Sequence, residues 1–373
     1  MLLLDNNTRV FLELIKAGLW ETEARLLPYG EVNYEEVMRI AEEQSVVGLV
    51  TAGLESVRDV KVPQEMLLQF IGSTLQIEQM NKDMNRFVSH LIEILRKEDV
   101  YSILVKGQGI AQCYERPLWR SCGDVDLLLS RDNYLKAKNV LLPLTTSVEE
   151  ESVEPMHFGM QIDSWVVELH GTLRSCILKK MDRVIDEVQD DVFYGGNVRS
   201  WDNNYVKVFL PSHNNDVFFV FTHILKHFFR GGIGLRQICD WCRLLKIARG
   251  GLDTNLLEHR LKSAGILTEW KAFAALAVDC LGMPIEAMPL YSSKNIWKKK
   301  AERVLKHILA VGNFGHNRDL SYYSNRPYIV RKAISFGRRT SDGFRHLFVF
   351  PMDSIRVWTR TLASGFLAVF EKR

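Results

Sequence analysis

Apolar residues recur with helical spacing through the first hundred positions. Val10, Leu12, Leu14, Ile15 and Leu19 fall close to a 3.6-residue period across residues 8–20, which predicts an amphipathic helix. Residues 37–41 and 46–54 add shorter apolar faces. Pro63 stands where helices commonly begin. Over residues 64–97 the stripe of Leu67, Phe70, Ile71, Leu75, Ile77, Met80, Met84, Phe87, Leu91 and Leu95 predicts one long helix or two collinear ones. Its methionines and aromatics read as core packing.

The period changes after Glu98. Residues 100–105 form a short apolar, partly β-branched run, followed by Lys106-Gly107-Gln108-Gly109 and a helical stretch to about Tyr114. Residues 125–129 read as a second strand and 133–142 as a helix. Two further runs, 158–162 and 165–169, flank Asp163-Ser164, a plausible hairpin turn. Residues 192–210 look irregular or strand-rich, with Gly195-Gly196 as a turn. Helical spacing returns from Asn214 to about Arg230, breaks at Gly231-Gly232, and continues through Arg249 and again over 256–281. The pattern predicts an α+β, mostly helical chain with a small mixed-sheet core flanked by N-terminal and C-terminal helical regions. The boundaries fall at 1–98, 99–212, 213–290 and 291–373. There is no internal repeat and no low-complexity segment.

Composition narrows the class. With 373 residues, 47% hydrophobic and 25% charged, and a mean hydropathy of −0.07, the chain is an ordinary globular one with ample length for a core. No apolar run approaches the ~18 residues of a membrane span. The N-terminus lacks a basic region and meets Asp5 too early for a signal peptide, which together with six scattered cysteines points to the cytoplasm. Cys239-Asp-Trp-Cys242 is a lone CxxC, better read as a buried helical pair than as a metal or redox site. The net charge of +3 hides an uneven split: residues 294–373 carry +12 and the first 293 carry −9.

The chemistry concentrates between residues 104 and 170. In Gly123-Asp124-Val-Asp126-Leu-Leu, strand alternation points both carboxylates to one face. Paired acids repel unless a cation neutralises them, and hard oxygen ligands suit Mg²⁺ with substrate phosphates. The Lys106-Gly107-Gln108-Gly109 turn offers close backbone approach to an anion, and Glu168, in Val-Val-Glu168-Leu-His170, offers a third acid. Arg120 has the guanidinium fork that suits phosphate, or else makes a salt bridge. His223-Ile-Leu-Lys-His227 places two imidazoles on one helical face; Ile224 stands where a zinc protease needs Glu.

These motifs resemble the polymerase β-like nucleotidyltransferase superfamily. They are more closely similar to the bacterial family of uncharacterised nucleotidyltransferases, through Lys106-Gly107, Arg120, Asp124-Val-Asp126-Leu-Leu, Glu168-Leu-His170, the spaced His223 and His227, and Leu235-Arg236 with Asp240. The resemblance covers roughly residues 1–280. It departs at Gln108, which stands where the superfamily has Gly or Ser, and in a longer gap from there to Asp124.

The resemblance implies a nucleotidyltransferase core over 99–212, with 213–290 closing its cleft. It implies transfer of an NMP from an NTP, foremost ATP, to a hydroxyl or phosphate acceptor. Asp124, Asp126 and Glu168 would hold Mg²⁺ or Mn²⁺, with Glu168 also helping to remove the acceptor proton. Lys106, Gly107, Gln108, Gly109 and Arg120 would bind the nucleotide, and His170, His223, His227, Arg236 and Asp240 would line the cleft. A kinase-like phosphotransferase on the same metal platform and a catalytically silent nucleotide- or partner-binding module remain as alternatives.

The basic tail mixes Lys298-Lys-Lys300, Arg331-Lys332 and Arg338-Arg339 with Tyr322, Tyr323, Tyr328, Phe336 and Phe344. It suits docking on the acidic body, an anionic membrane surface or other polyanionic acceptor, or nucleic acid.

Overall fold

A computed structural model describes residues 4–149, 151, 156–313 and 346–359, with single positions 330, 334, 337, 341 and 343. Four helices come first: α1 (Asn6–Trp20), α2 (Tyr34–Glu43), α3 (Val47–Glu55) and α4 (Gln64–Lys97). The central region holds β1 (Ile103–Val105), α5 (Gly107–Ala111), β2 (Val125–Leu128), α6 (Arg131–Leu141), β3 (Ser147–Val148), β4 (His157–Ile162), β5 (Trp165–His170), α7 (Lys179–Phe193), β6 (Val198–Asn203) and β7 (Val206–Pro211). Then follow α8 (His213–Arg230), α9 (Leu235–Ala248), α10 (Thr254–Ala264), α11 (Leu267–Ala275) and α12 (Asn295–Val311). The class is the mostly helical α+β one that the pattern predicts. No helix among the described residues is long and apolar enough to cross a membrane.

The described strands join in one mixed sheet, ordered β3-β4-β5-β2-β1-β7-β6. Strand β2 runs antiparallel to β1 and parallel to β5, so the strand bearing Asp126 lies in the interior of the sheet. Two features add to the sequence expectation. Residues 179–193 form α7, whose Met181, Val184, Ile185, Val188 and Val192 are buried. The stretch expected to be irregular or strand-rich is strand-rich: it contains the hairpin β6–β7, turned at Asn204-Tyr205 with φ of 48° and 68°. Positive φ at both turn positions matches the twist of paired strands, but the second position holds tyrosine, which carries no glycine signal.

Two hydrophobic cores flank the sheet. Helices α1–α3 share one core with α8–α12 although they lie at opposite ends of the described chain. Leu235 N–H donates to Gln44 Oε1 at 3.0 Å across that boundary. Within this layer α1 and α3 cross backbone to backbone: a Cβ on Gly53 would lie 2.1 Å from Leu14 O, and one on Gly18 1.9 Å from Leu49 O. The second core lies between the sheet, α6 and the later half of α4. Helix α4 is a single 34-residue helix that serves both cores, with Phe70 in the first and Met84, Val88, Leu91, Ile92 and Leu95 in the second. Cys239 and Cys242 are fully buried thiols on α9, where burial first pushes both pKa values up.

Of the basic tail, Lys298–Lys300 lie on α12; Lys298 is 3.9 Å from Asp279 and Lys300 contacts the Val349 carbonyl. Arg331, Lys332, Arg338, Arg339, Tyr322, Tyr323, Tyr328, Phe336 and Phe344 lie outside the described residues. Residues 346–359 place Phe350 in the first core, and Asp353 comes close to Glu269 of α11, itself fully buried. Burial first, then the hydrogen bond to Asp353 and the Asp353 charge, pushes the Glu269 carboxyl well above its ordinary range, with Lys300 pulling the other way. The folded chain thus holds a proton there that the unfolded chain releases, so stability falls as pH rises above about 5. Glu269→Gln should flatten that slope and raise the melting temperature at about pH 8, measured by thermal melts across the pH range.

Candidate active site

The register of the sheet brings the acids together. In β2, Asp126 pairs with Val105 of β1 on one side and with Glu168 of β5 on the other. Asp124, just before β2, follows the same pleat. Carboxylate oxygens of Asp124, Asp126 and Glu168 lie within 4.8 Å of one another. Lys106 follows β1 directly and sends Nζ to 2.7 Å from Asp126 Oδ1. Its backbone is at φ 60°, ψ −144°, a conformation that costs a non-glycine residue roughly 1–3 kcal/mol. The strain brings an ammonium group to the acids, and Gly107 follows at φ 38°, a conformation that favours glycine, with Asp124 O 3.4 Å from where a Cβ would lie.

Charges at this floor are mutually dependent. The Asp126 charge, then burial, raises the Asp124 pKa, while Lys106 opposes them. Burial disfavours an ionised Glu168, but hydrogen bonds from His157 and His170 prevail and hold it far below the carboxylate range. His170 donates Nε2 to Asp126 Oδ1 at 2.7 Å and lies 3.3 Å from Glu168 Oε2. Burial lowers its affinity for a proton, yet the two carboxylates raise it overall. Lys106 behaves likewise: burial opposes its charge, and Asp126, Asp124 and Glu168 more than restore it.

Helices α8 and α9 form the facing wall of a cleft of about 330 Å³. His223 and His227 lie one helical turn apart with Nε2 atoms 2.9 Å from each other. Burial first, then Lys106 for His223 and Lys226 for His227, lowers both pKa values, His227 to about 3. Both are therefore neutral imidazoles at neutral pH. Arg236 on α9 donates Nη1 to Ser121 O at 3.0 Å, and burial, then Arg120, disfavours its charge. Asp240 receives both arms of Arg120 at 2.8 Å and the Tyr114 hydroxyl at 2.8 Å.

The profile of the uncharacterised nucleotidyltransferase family matches residues 30–282. The chain belongs to that family. No curated protein and no solved structure matches it. The matched span runs from just before α2 to beyond α11, so it includes the whole described sheet and both walls of the cleft.

In this member of the family, the glycine turn divides by direction. Lys106 and Gly107 line the cleft, and Arg120 does so while its guanidinium is committed to Asp240. The Gln108 side chain does not enter the cleft; it is buried and donates Nε2 to Asn81 and Asn85 of α4, at 3.0 and 2.8 Å. A Cβ on Gly109 would come 2.7 Å from Leu210 Cδ2, so that glycine lets α5 pack on β7. The Gln108 side chain and the Gly109 position thus serve packing, while any contact of either residue with a nucleotide would be made by its backbone N–H group.

The cleft also holds residues that motif reasoning did not single out. His157, at the start of β4, meets Glu168 Oε2 at 3.1 Å. Lys226, between the two histidines of α8, and Arg174, after β5, add cations to the lining. Lys226 is lowered in pKa by burial and then by Lys106, and Arg174 is held by Asp186 at 2.6 Å.

Proposed function

We propose that this nucleotidyltransferase moves an NMP from a Mg²⁺-bound NTP, with ATP the donor to test first, to a hydroxyl or phosphate acceptor. The convergence of Asp124, Asp126 and Glu168 on one face of adjoining strands, beside Lys106 and inside a cleft, carries this reading. An all-oxygen donor set fits Mg²⁺, and Asp124, Asp126 and Glu168 would hold it. The bound metal supplies charge neutralisation to the phosphates and the leaving group.

The chain's own residues do the rest by placement and electrostatics. Lys106 balances the acids and offers positive charge to phosphate. Lys226 and Arg236 offer it from the facing wall, while Arg120 holds α9 against the segment leading to Asp124 through Asp240. Glu168, kept ionised by two imidazoles, has little affinity for a proton. It is assigned to holding the metal with Asp124 and Asp126. The three acids weigh against a silent binding module, because a grouping so costly without a cation serves chemistry better than packing.

Incubation of the full chain with Mg²⁺, α- or γ-labelled ATP and a panel of sugar, metabolite, lipid-phosphate, protein and RNA acceptors tests the reading. Nucleotidyl transfer places the α-label on product and releases pyrophosphate. Product carrying only the γ-label would instead establish phosphoryl transfer. Mg²⁺-dependent binding of ATP without either product would overturn the enzymatic reading.

A further inference from the structure

The hairpin β4–β5 gathers a second set of donors beside the three acids. His157 and His170 are direct cross-strand partners, so their side chains share a face of the sheet with Glu168, two residues along. Both imidazoles turn Nε2 to the same carboxylate oxygen, Glu168 Oε2, at 3.1 and 3.3 Å, and their ring centroids are 4.9 Å apart. One ligand atom from each of the three residues lies within 4.8 Å of those from the other two, and all three residues line the cleft.

These separations fit the edges of a coordination polyhedron. Bonds of about 2.0–2.2 Å place tetrahedral ligands roughly 3.3–3.6 Å apart, close to the two nitrogen–oxygen distances. The chemistry of the set differs from that of its neighbour: two imidazoles and one carboxylate suit a first-row transition-metal dication, whereas Mg²⁺ prefers oxygen alone. We propose that His157, Glu168 and His170 form a distinct binding site for a transition-metal dication, sharing Glu168 with the oxygen-only cluster. Its part in turnover rests on the nucleotidyl-transfer reading; its capacity to bind metal does not.

His170 also touches Asp126 Oδ1 at 2.7 Å, so its Nε2 stands at the junction of the two clusters. His157 contacts Glu168 alone among the three acids and stands at the outer end of the hairpin, which makes it the residue whose removal reports on this site. Asp124 belongs only to the oxygen cluster and is the matching control.

The test uses the full chain without nucleotide and Mn²⁺ as the probe, because Mn²⁺ has little affinity for the six thiols. Equilibrium dialysis in a large excess of Mg²⁺, which fills the oxygen-only cluster, should find a Mn²⁺ site that His157→Ala weakens at least tenfold and Asp124→Asn changes less than threefold. Pulsed electron paramagnetic resonance should show directly bound imidazole nitrogen in the wild type and less of it in H157A. Circular dichroism and a second variant, His157→Asn, separate loss of a ligand from loss of fold. Absent nitrogen coupling, or equal affinity in wild type, H157A and H157N, would overturn the site. Metal binding without any labelled product would leave the site standing and sink the nucleotidyl-transfer reading; labelled product without nitrogen-ligated metal would do the reverse.

Discussion

Asp126→Asn is expected to lower Mg²⁺-dependent nucleotidyl transfer by about three orders of magnitude, a loss on the scale of removing one preorganised electrostatic contact to the transition state. Asparagine keeps the shape of the side chain and an oxygen for Lys106 and His170, but it removes the charge that would hold the metal. The fold should survive. The variant loses an ion pair with Lys106, yet it also relieves Asp124 of the neighbour that chiefly opposes its ionisation. Rates with the best acceptor, paired with circular dichroism and a thermal melt, provide the check. Near-normal turnover by folded D126N protein would refute the assignment of the acids.

Asp240→Ala carries the largest expected effect on stability. Asp240 and Arg120 are almost wholly buried, joined by two hydrogen bonds of 2.8 Å, and Asp240 also accepts the Tyr114 hydroxyl. Truncating the acid leaves a guanidinium and a phenol without their partner inside the protein. Breaking a buried pair in this way costs about 3–5 kcal/mol, visible as a lower urea midpoint. Replacing both charges, with Arg120→Met and Asp240→Leu together, should recover most of that loss, since apolar residues of similar volume often substitute for a buried pair. If Arg120 served mainly to hold substrate phosphate, D240A would remain close to wild type in stability.

Local periodicity carried much of the fold. Residues 8–20 and 64–97 form helices close to where their apolar stripes lie, because each buries one face over several turns. Asp124 and Asp126 were legible as a pair, since strand alternation is a local property. The adjacency of Asp126 and Glu168 was not, because it depends on a parallel pairing between segments some forty residues apart. His157 is an intermediate case. A two-residue turn at Asp163-Ser164 pairs Ile162 with Trp165 and so carries His157 opposite His170. What the sequence withheld was that both rings would turn toward one glutamate oxygen. Gln108 is a different case: its place in the motif pointed to the phosphates, and its side-chain bonds to two amide oxygens of α4 depend on a helix far away in sequence.

Helix α4 has a consequence for how the molecule comes apart. At 1.5 Å per residue its 34 residues extend about 51 Å, and along that length they join two separate oil-like interiors. Midway, Asn81 donates to the carbonyls of Leu118 and Arg120 at 2.8 and 2.7 Å, on the segment that leads to Asp124. Neither interior can melt alone without fraying this shared helix and loosening the segment on which the first acid depends. The catalytic geometry and the cooperativity of unfolding therefore share one mechanical member, and amides along the middle of α4 should exchange with solvent only when the molecule opens as a whole.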